Sequence, residues 1–504
     1  MYVAVSRYKN YTRVRILKKV KVDNGWTSQL VEHIGSARDD TELALLRTRA
    51  NQRLVELRAQ LSLLDELANQ EVTGVSRLVM SGSFAYGLWH IVGGIYDSMG
   101  LPDGLLKYLV LARIAVPKSK LATVRYLESH LRLNTSLSAV YRYMDTLGKD
   151  TLMASLLAHA QERALTSIGQ TISVVFYDVT TLYFETDEDD VDTETALGLR
   201  KYGYSKDHRY DLPQVVVGLT VDGSSFPLDF QVYEGNTYEG HTLLGGVAQI
   251  RRKLQLDNSK LTVVADAGML SSANLDELET QGYRYIVGAR VRSYPATTAK
   301  QVTEWDYATN GTLDTILAGR RTIVTYSDKQ AQRSRQNRDR LVRRLQAKLD
   351  RGQVVKKSKY VLLADDKKLE GSIDEAKVKQ DARFDGLKGY VTNTILAPDE
   401  VVAHYGNLWH VEKSFRMSKS DLRARPTFHY RRERIIAHLL ICVCALGVLK
   451  EFEERLHAAL PEVGLSLALE QLLDIGEYKI RLPDQQIATI YSQFTELQEK
   501  LLRL

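Results

Sequence analysis

Residues 172–185 read ISVVFYDVTTLYFE, 211–235 read DLPQVVVGLTVDGSSFPLDFQVYEG, and 261–269 read LTVVADAGM. Each begins or contains a short β-branched and aromatic run of strand length, bounded by turn residues. Asp222-Gly223 between the second and third runs predicts a hairpin. Working outward, the spacing predicts an amphipathic helix from His241 to Leu256, the strand LTVVAD, the helix SANLDELETQG and the strand YRYIVGAR. Two acids, Asp178 and Asp266, close very apolar strands, where an unpaired charge is costly unless a cation or water meets it.

The order strand, strand, strand, helix, strand, helix, strand is that of the ribonuclease H-like fold, in which the first and fourth strands are neighbours. Asp178 and Asp266 are therefore expected side by side. The fold class is α/β: a ribonuclease H-like catalytic core with a mixed, strand-rich insertion, plus helical N-terminal and C-terminal regions. Residues 1–165 read as a mostly helical DNA-binding region with short basic strands at its start, 166–290 as the first part of the core, and 291–400 as an insertion subdomain. Residues 401–450 complete the core, and 451–504, with LSLALEQLLDIG and IATIYSQFTELQEKLL, form a helical end suited to dimerisation or to packing on the core.

At 504 residues and 44% hydrophobic the chain can bury a substantial core. A net charge of +6 permits an acidic partner without requiring one, and the distribution of charge is more informative. Arg7, Lys9, Arg13, Arg15, Lys18, Lys19 and Lys21 form one basic run without an acid, and Lys329 to Lys359 span another. Cys442 and Cys444 sit in the apolar run LLICVCALGVL, so neither a disulfide framework nor a zinc site is suggested. That run is about half of the ~20 residues a membrane span needs, and the charged N-terminal residues do not form a signal peptide, so a cytoplasmic protein away from the membrane is expected.

The segments SKLATVRYLESHL and SLSAVYRYMDTL read as two short helices that suit either a helix-turn-helix with Arg142 on the DNA or a plain packed pair. In HYGNLWHVEKSFRMSKSDL, Tyr405, Leu408, Glu412, Arg416 and Lys419 fall at offsets −7, −4, 0, +4 and +7, which on one continuous helix share a face. Glu412 and Arg416 there are either a surface ion pair or a metal ligand beside a phosphate contact. Three carboxylates, Asp178, Asp266 and Glu412, would suffice for a site that cleaves phosphodiesters with two hard divalent ions.

Tyr405, Glu412 and Lys419 match the Tyr-x2-Arg-x3-Glu-x6-Lys signature, and the chain resembles the bacterial insertion-sequence transposases of the DDE type that carry it. Leu408 stands where the signature has Arg, and Arg416, one turn past Glu412, is a substitute. YDVTTLYFE (177–185), VVADAGMLSSANL (263–275), GYSKDHRYDLPQ (203–214), EGNTYEGHT (234–242) and SDLRARPTFHYRRERIIAH (420–438) are similar to further family segments.

The resemblance implies that Asp178, Asp266 and Glu412 bind two Mg²⁺, with Mn²⁺ able to substitute, and that the protein cleaves element ends and joins them to target DNA. It implies Tyr405 and Lys419 on terminal phosphates, and an aromatic residue of the insertion stacking on a flipped base, for which Trp305 is the first candidate. Arg340 and Arg344 on the basic helix, and Lys206 and Arg209 near the first hairpin, are candidate DNA contacts; a loop salt bridge to Asp207 or Asp211 is the other reading of the last two. The implied partners are double-stranded DNA, as terminal inverted repeats and target, and a second copy in a homodimer. The implied location is a bacterial nucleoid. A structure-specific endonuclease of the same fold and a catalytically inactive DNA-binding repressor are the alternatives.

Overall fold

The computed structural model describes residues 1–8, 11–22, 25–69, 79–169, 171–192, 198–269, 271–306, 311–351, 353, 358–363, 371–425, 429–481 and 486–504. Lys9 and part of the basic run ending at Lys359 lie outside them. The chain divides into two compact units, Met1–Met80 with Ile480–Ala488, and Ser81–Lys479 with Thr489–Leu504.

In the smaller unit the strands Tyr2–Arg7, Thr12–Val22 and Gly25–Ala37 form an antiparallel meander. The helix Asp40–Asn69 covers it, burying Leu43 and Ala50 against Val14 and Ala37. This unit ends near residue 80 rather than 165. The reason is packing: the helices that follow bury Leu109, Val110, Met144 and Leu156 in one core with Phe176, Val264 and Leu446.

The larger unit is built on an eight-stranded sheet. Its strands in chain order are β1 (Val174–Tyr183), β2 (Gln214–Val221), β3 (Pro227–Glu234), β4 (Thr262–Ala265), β5 (Arg284–Ala289), β6 (Thr312–Leu317), β7 (Arg320–Tyr326) and β8 (Leu387–Thr392). The order across the sheet is β6-β7-β8-β5-β4-β1-β2-β3. β1 runs antiparallel to β2 and parallel to β4, and β4 parallel to β5. The first five strands therefore stand in the ribonuclease H-like order 3-2-1-4-5. Near-continuous apolar runs such as VVVGLTV are what central strands covered on both faces require.

Three strands of the 291–400 segment, β6, β7 and β8, extend this same sheet, because β8 pairs antiparallel with β5 over Gly389–Thr392, while Val361–Leu363 and Gly371–Ile373 pair with each other in a small sheet of their own. The first three lengthen the core sheet. The hairpin between β2 and β3 is also looser than an Asp-Gly turn: Ser225 takes the left-handed backbone with φ of 73°, and Asp222 accepts from the amides of Ser224 and Phe226.

The helices used below are α1 (Leu105–Ala115), α2 (Lys120–Leu131), α3 (Leu137–Thr146), α4 (Asp328–Asp350), α5 (Pro398–Gly406), α6 (Trp409–Arg416) and α7 (Arg432–Ala459). Among the described residues α7 alone is long and apolar enough to cross a membrane, and 94% of its apolar window is buried inside the protein. It is the central helix of the core, which accounts for LLICVCALGVL and for the burial of both cysteines.

Candidate active site

The parallel pairing of β1 with β4 matches Tyr177 to Ala265, so Asp266, just past the end of β4, follows beside Asp178, which lies in the middle of β1 rather than closing it, because that strand runs on to Tyr183 in pairing with β2. Asp178 is largely buried, with 17% of its side chain exposed. Burial pushes its carboxyl up to about 6, against the opposing pull of Lys206 and the Val179 amide, while Glu239 and Asp266 add repulsion. Lys206 Nζ lies 3.7 Å from Asp178 Oδ1 and 3.1 Å from Glu239 Oε1. A Cβ placed on Gly268 would sit 3.6 Å from Asp266 Oδ2 and 3.7 Å from Glu239 Oε2, so those two carboxylates flank one spot. Three acids thus converge on a cleft, and a lysine ammonium stands among them.

The signature helix is not continuous. α5 ends at Gly406, and the bonds from Leu408 N to Tyr405 O and from Val411 N to Leu408 O tighten the chain into short turns before α6 begins. Gly and Asn at this point are weak helix formers, which permits the break. The single face expected for Tyr405, Leu408, Glu412, Arg416 and Lys419 is therefore replaced by three environments. Tyr405 is buried and its hydroxyl donates to Asp266 Oδ1 at 3.0 Å. Leu408 is buried in the main core, so no phosphate contact comes from this position. Glu412 and Arg416 are exposed on α6. That helix crosses the face of β1, with His410 6.1 Å from Phe176 and Phe415 sharing a cavity with Thr180, which places the level of Asp178 between them.

Glu412 has no ion pair with Arg416 among the described residues, and it is not one of the groups that set the charge of Asp178. Lys419 is mostly buried and bonds Asp207 at 3.1 Å, and Arg425 bonds the same carboxylate at 2.6 Å. Burial lowers the Lys419 ammonium, opposed by Asp207.

Of the other expected DNA contacts, Arg209 pairs with Asp211 at 3.1 Å, the loop salt bridge reading. On α4, Arg340 and Arg344 are exposed, whereas Arg338 is buried against Asp385 at 2.6 Å. Trp305 is half-buried just past the helix Ala296–Thr303. On α3 Arg142 is exposed, whereas Tyr141 lies under Arg434, at 4.8 Å from ring to guanidinium.

Residues 169–448 match the family described as the transposase DDE domain, which is more than half of the chain. The chain belongs to that family. No curated protein matches it detectably. Among solved structures it is similar to the piggyBac transposase synaptic complex with hairpin DNA, at 9% identity over 77% of either chain and a TM-score of 0.37. It is also similar to a pre-cleavage Mos1 transpososome, at 13% identity over 36% of this chain and 57% of that one and a TM-score of 0.16. Likenesses this distant do not bear on the geometry of the site.

Two residues of this transposase were not assigned a role from the sequence. Glu239 lies within EGNTYEGHT, but only the fold carries it to Asp178. Gly288 on β5 faces Tyr405: a Cβ there would lie 2.4 Å from the phenol oxygen, so glycine makes the room through which Tyr405 reaches Asp266. The donor set suits a hard divalent ion, being carboxylate oxygens around a buried acid that already draws a cation. Among the described residues no three Asp, Glu, His or Cys are close enough as they stand to enclose one.

Proposed function

We propose that this transposase cleaves DNA at the ends of its element and joins the freed 3′ ends to target DNA, with Asp178, Asp266 and Glu412 as its metal-binding carboxylates. The observation that carries the reading is the placement of Asp178, within β1, beside Asp266, just past the end of the parallel β4, with the signature Tyr405 bonded to the second of them. Asp178 and Asp266 would hold Mg²⁺ or Mn²⁺ and Glu412 would be drawn in from the exposed face of α6. Two such ions supply activation of the attacking oxygen and stabilisation of the leaving one.

The chain's own residues do the rest. Tyr405 fixes the rotamer of Asp266. Lys206 offsets the charge of Asp178 and Glu239, the place that a divalent cation would take. Lys419 and Arg416 hold phosphates near the cut, Arg340, Arg344 and Arg142 hold the backbone further out, and Trp305 stacks on an unpaired base. Two copies act together, one on each end, in the nucleoid of a bacterial cell.

A second reading differs in one residue. Glu239 already shares Lys206 with Asp178 and flanks Asp266, which favours it as the third ligand over the exposed Glu412. Metal-dependent cleavage and strand transfer by the variants separate the two. Asp178→Asn and Asp266→Asn are expected to lose about a thousandfold or more in cleavage, ~4 kcal/mol, with DNA binding retained. Glu412→Gln is expected to fall as far, and Glu239→Gln by much less. The reverse order assigns the third position to Glu239, cleavage without joining indicates a nuclease, and full activity in either Asp variant removes that residue from the site.

A further inference from the structure

A cavity of about 360 Å³ opens between the end of α1, the N-terminus of α2 and the segment leading into α7. Arg113, Lys118, Lys120, Arg423 and Arg425 line it, and no Asp or Glu does. Arg113 and Lys120 are only 5% and 6% exposed. Neither has an acidic partner among the described residues. Lys120 Nζ donates to His438 Nδ1 at 3.3 Å, and Arg113 Nη1 reaches the Leu422 carbonyl at 3.5 Å.

The histidines do not supply the missing charge. His438 Nε2 lies 3.2 Å from the Ala424 carbonyl, so the ring donates there, accepts from Lys120 and is neutral. Burial pushes His438 well below its ordinary value, with Lys120 and Arg113 adding to the shift, and burial likewise takes His429 to about 3. Lys120 itself is lowered to about 7, first by burial and then by Arg113. A buried guanidinium facing a buried lysine with no acid beside either makes the charged lysine expensive to hold unless an anion joins them.

The backbone points the same way. Ser119 caps α2 by accepting from the Ala122 amide at 3.3 Å, and its carbonyl accepts from Thr123 at 2.8 Å. The amides of Lys120 and Leu121, both on the cavity wall, are left at the positive end of a twelve-residue helix.

We propose that this cavity binds a phosphate group, and that the phosphate belongs to the backbone of the DNA substrate. The DNA part rests on the function proposed above. Arg425 joins the cavity to the catalytic cleft, since it shares Asp207 with Lys419, and Lys206, the residue before Asp207, reaches Asp178. A strand with one phosphate over Arg113 and Lys120 can therefore continue toward the carboxylates.

The test uses the full chain and two variants: Lys120→Met, which keeps the buried shape, and Arg423→Gln, at an exposed position. Binding of a duplex carrying the element end is measured against salt, and thermal melting is measured against inorganic phosphate. Each variant is expected to bind the duplex about tenfold more weakly, with the slope of log affinity against log salt shallower by about 0.9. Phosphate is expected to raise the melting temperature of the wild type and not that of the variants. Should Lys120→Met fail to fold, Arg423→Gln decides alone. Unchanged duplex binding with a lost phosphate response would make the ligand a free phosphate and overturn the DNA assignment. No change in either measurement overturns the cavity itself. A wild type stabilised by phosphate that neither binds nor cleaves the duplex would leave the cavity standing and remove the function above.

Discussion

The carboxylate cleft and the basic cavity are joined through Arg425, yet they manage charge in opposite ways. In the cleft most of the strong charges have an opposite charge beside them, Lys206 serving Asp178 and Glu239 and Asp207 serving Lys419 and Arg425, while Asp266 accepts from the Tyr405 hydroxyl. In the cavity Arg113 and Lys120 have only a neutral imidazole and a carbonyl. The first region is closed on itself and must exchange partners to act on a substrate. The second lacks a partner that only something outside the chain can supply.

A third ionic group shows what full compensation without function looks like. Glu451 accepts from Arg455 Nε at 2.9 Å, lies 3.0 Å from Arg163 Nε and meets His159 Nε2 at 3.2 Å. Burial pushes its carboxyl up, but the hydrogen bonds of His159 and Arg455 and the charge of Arg163 outweigh that and hold it at about 2, against an ordinary 4.5. A depressed carboxyl contributes stability above its unfolded value and loses it as the pH falls through the folded one, so the loss belongs between 4.5 and about 2. Glu451→Gln is expected to remove stability on the order of 3 kcal/mol above that window and progressively less within it, with little change in DNA cleavage. Denaturant melts at a series of pH values check it; a cost independent of pH would mean that Glu451 acts through packing, not charge.

Gly288→Ala attacks the cleft without touching a charge. The added methyl would crowd the phenol of Tyr405 and the Ala267 Cβ at 3.1 Å. Tyr405 should turn away and leave Asp266 free to rotate. Cleavage is expected to fall about tenfold, ~1.4 kcal/mol in the barrier, with duplex affinity unchanged. If activity stays at the wild-type level, the bond from Tyr405 to Asp266 does not position the carboxylate.

These contrasts also mark what the sequence could say. Asp266 was legible because it ends an apolar run, and Asp178 because strand order puts β1 beside that run, although β1 itself continues past Asp178 to Tyr183. The break after Gly406 was not, since apolar spacing continues across it and the helix period hides a tightened turn. That break is why Glu412 and Tyr405 part company. Glu239 was legible only as part of a motif, because its neighbours in space come from β1 and from the loop before β2. The merging of β6, β7 and β8 into the core sheet was hidden for the same reason: a segment's composition shows that it pairs, not with what. The basic cavity escaped because its cations come from α1, α2 and the segment before α7, which only the fold brings together.

The smallest effect expected probes the bridge between the two regions. Asp207 holds Lys419 and Arg425 in the free protein, so DNA must take both cations away from it. Asp207→Asn keeps the shape and removes the competing charge. Three outward-acting cations, Lys206, Lys419 and Arg425, then stand beside one another without that acid, and duplex affinity is expected to rise about fivefold, under ~1 kcal/mol, as for a partly exposed ion pair. Salt dependence should steepen by about 0.9 in slope for each phosphate newly engaged. Titration of the duplex at several salt concentrations reads both numbers. Weaker binding with a lowered melting temperature would show that Asp207 is needed to build the loop that carries Lys206, and that the pairing in the cleft serves the fold before it serves the substrate.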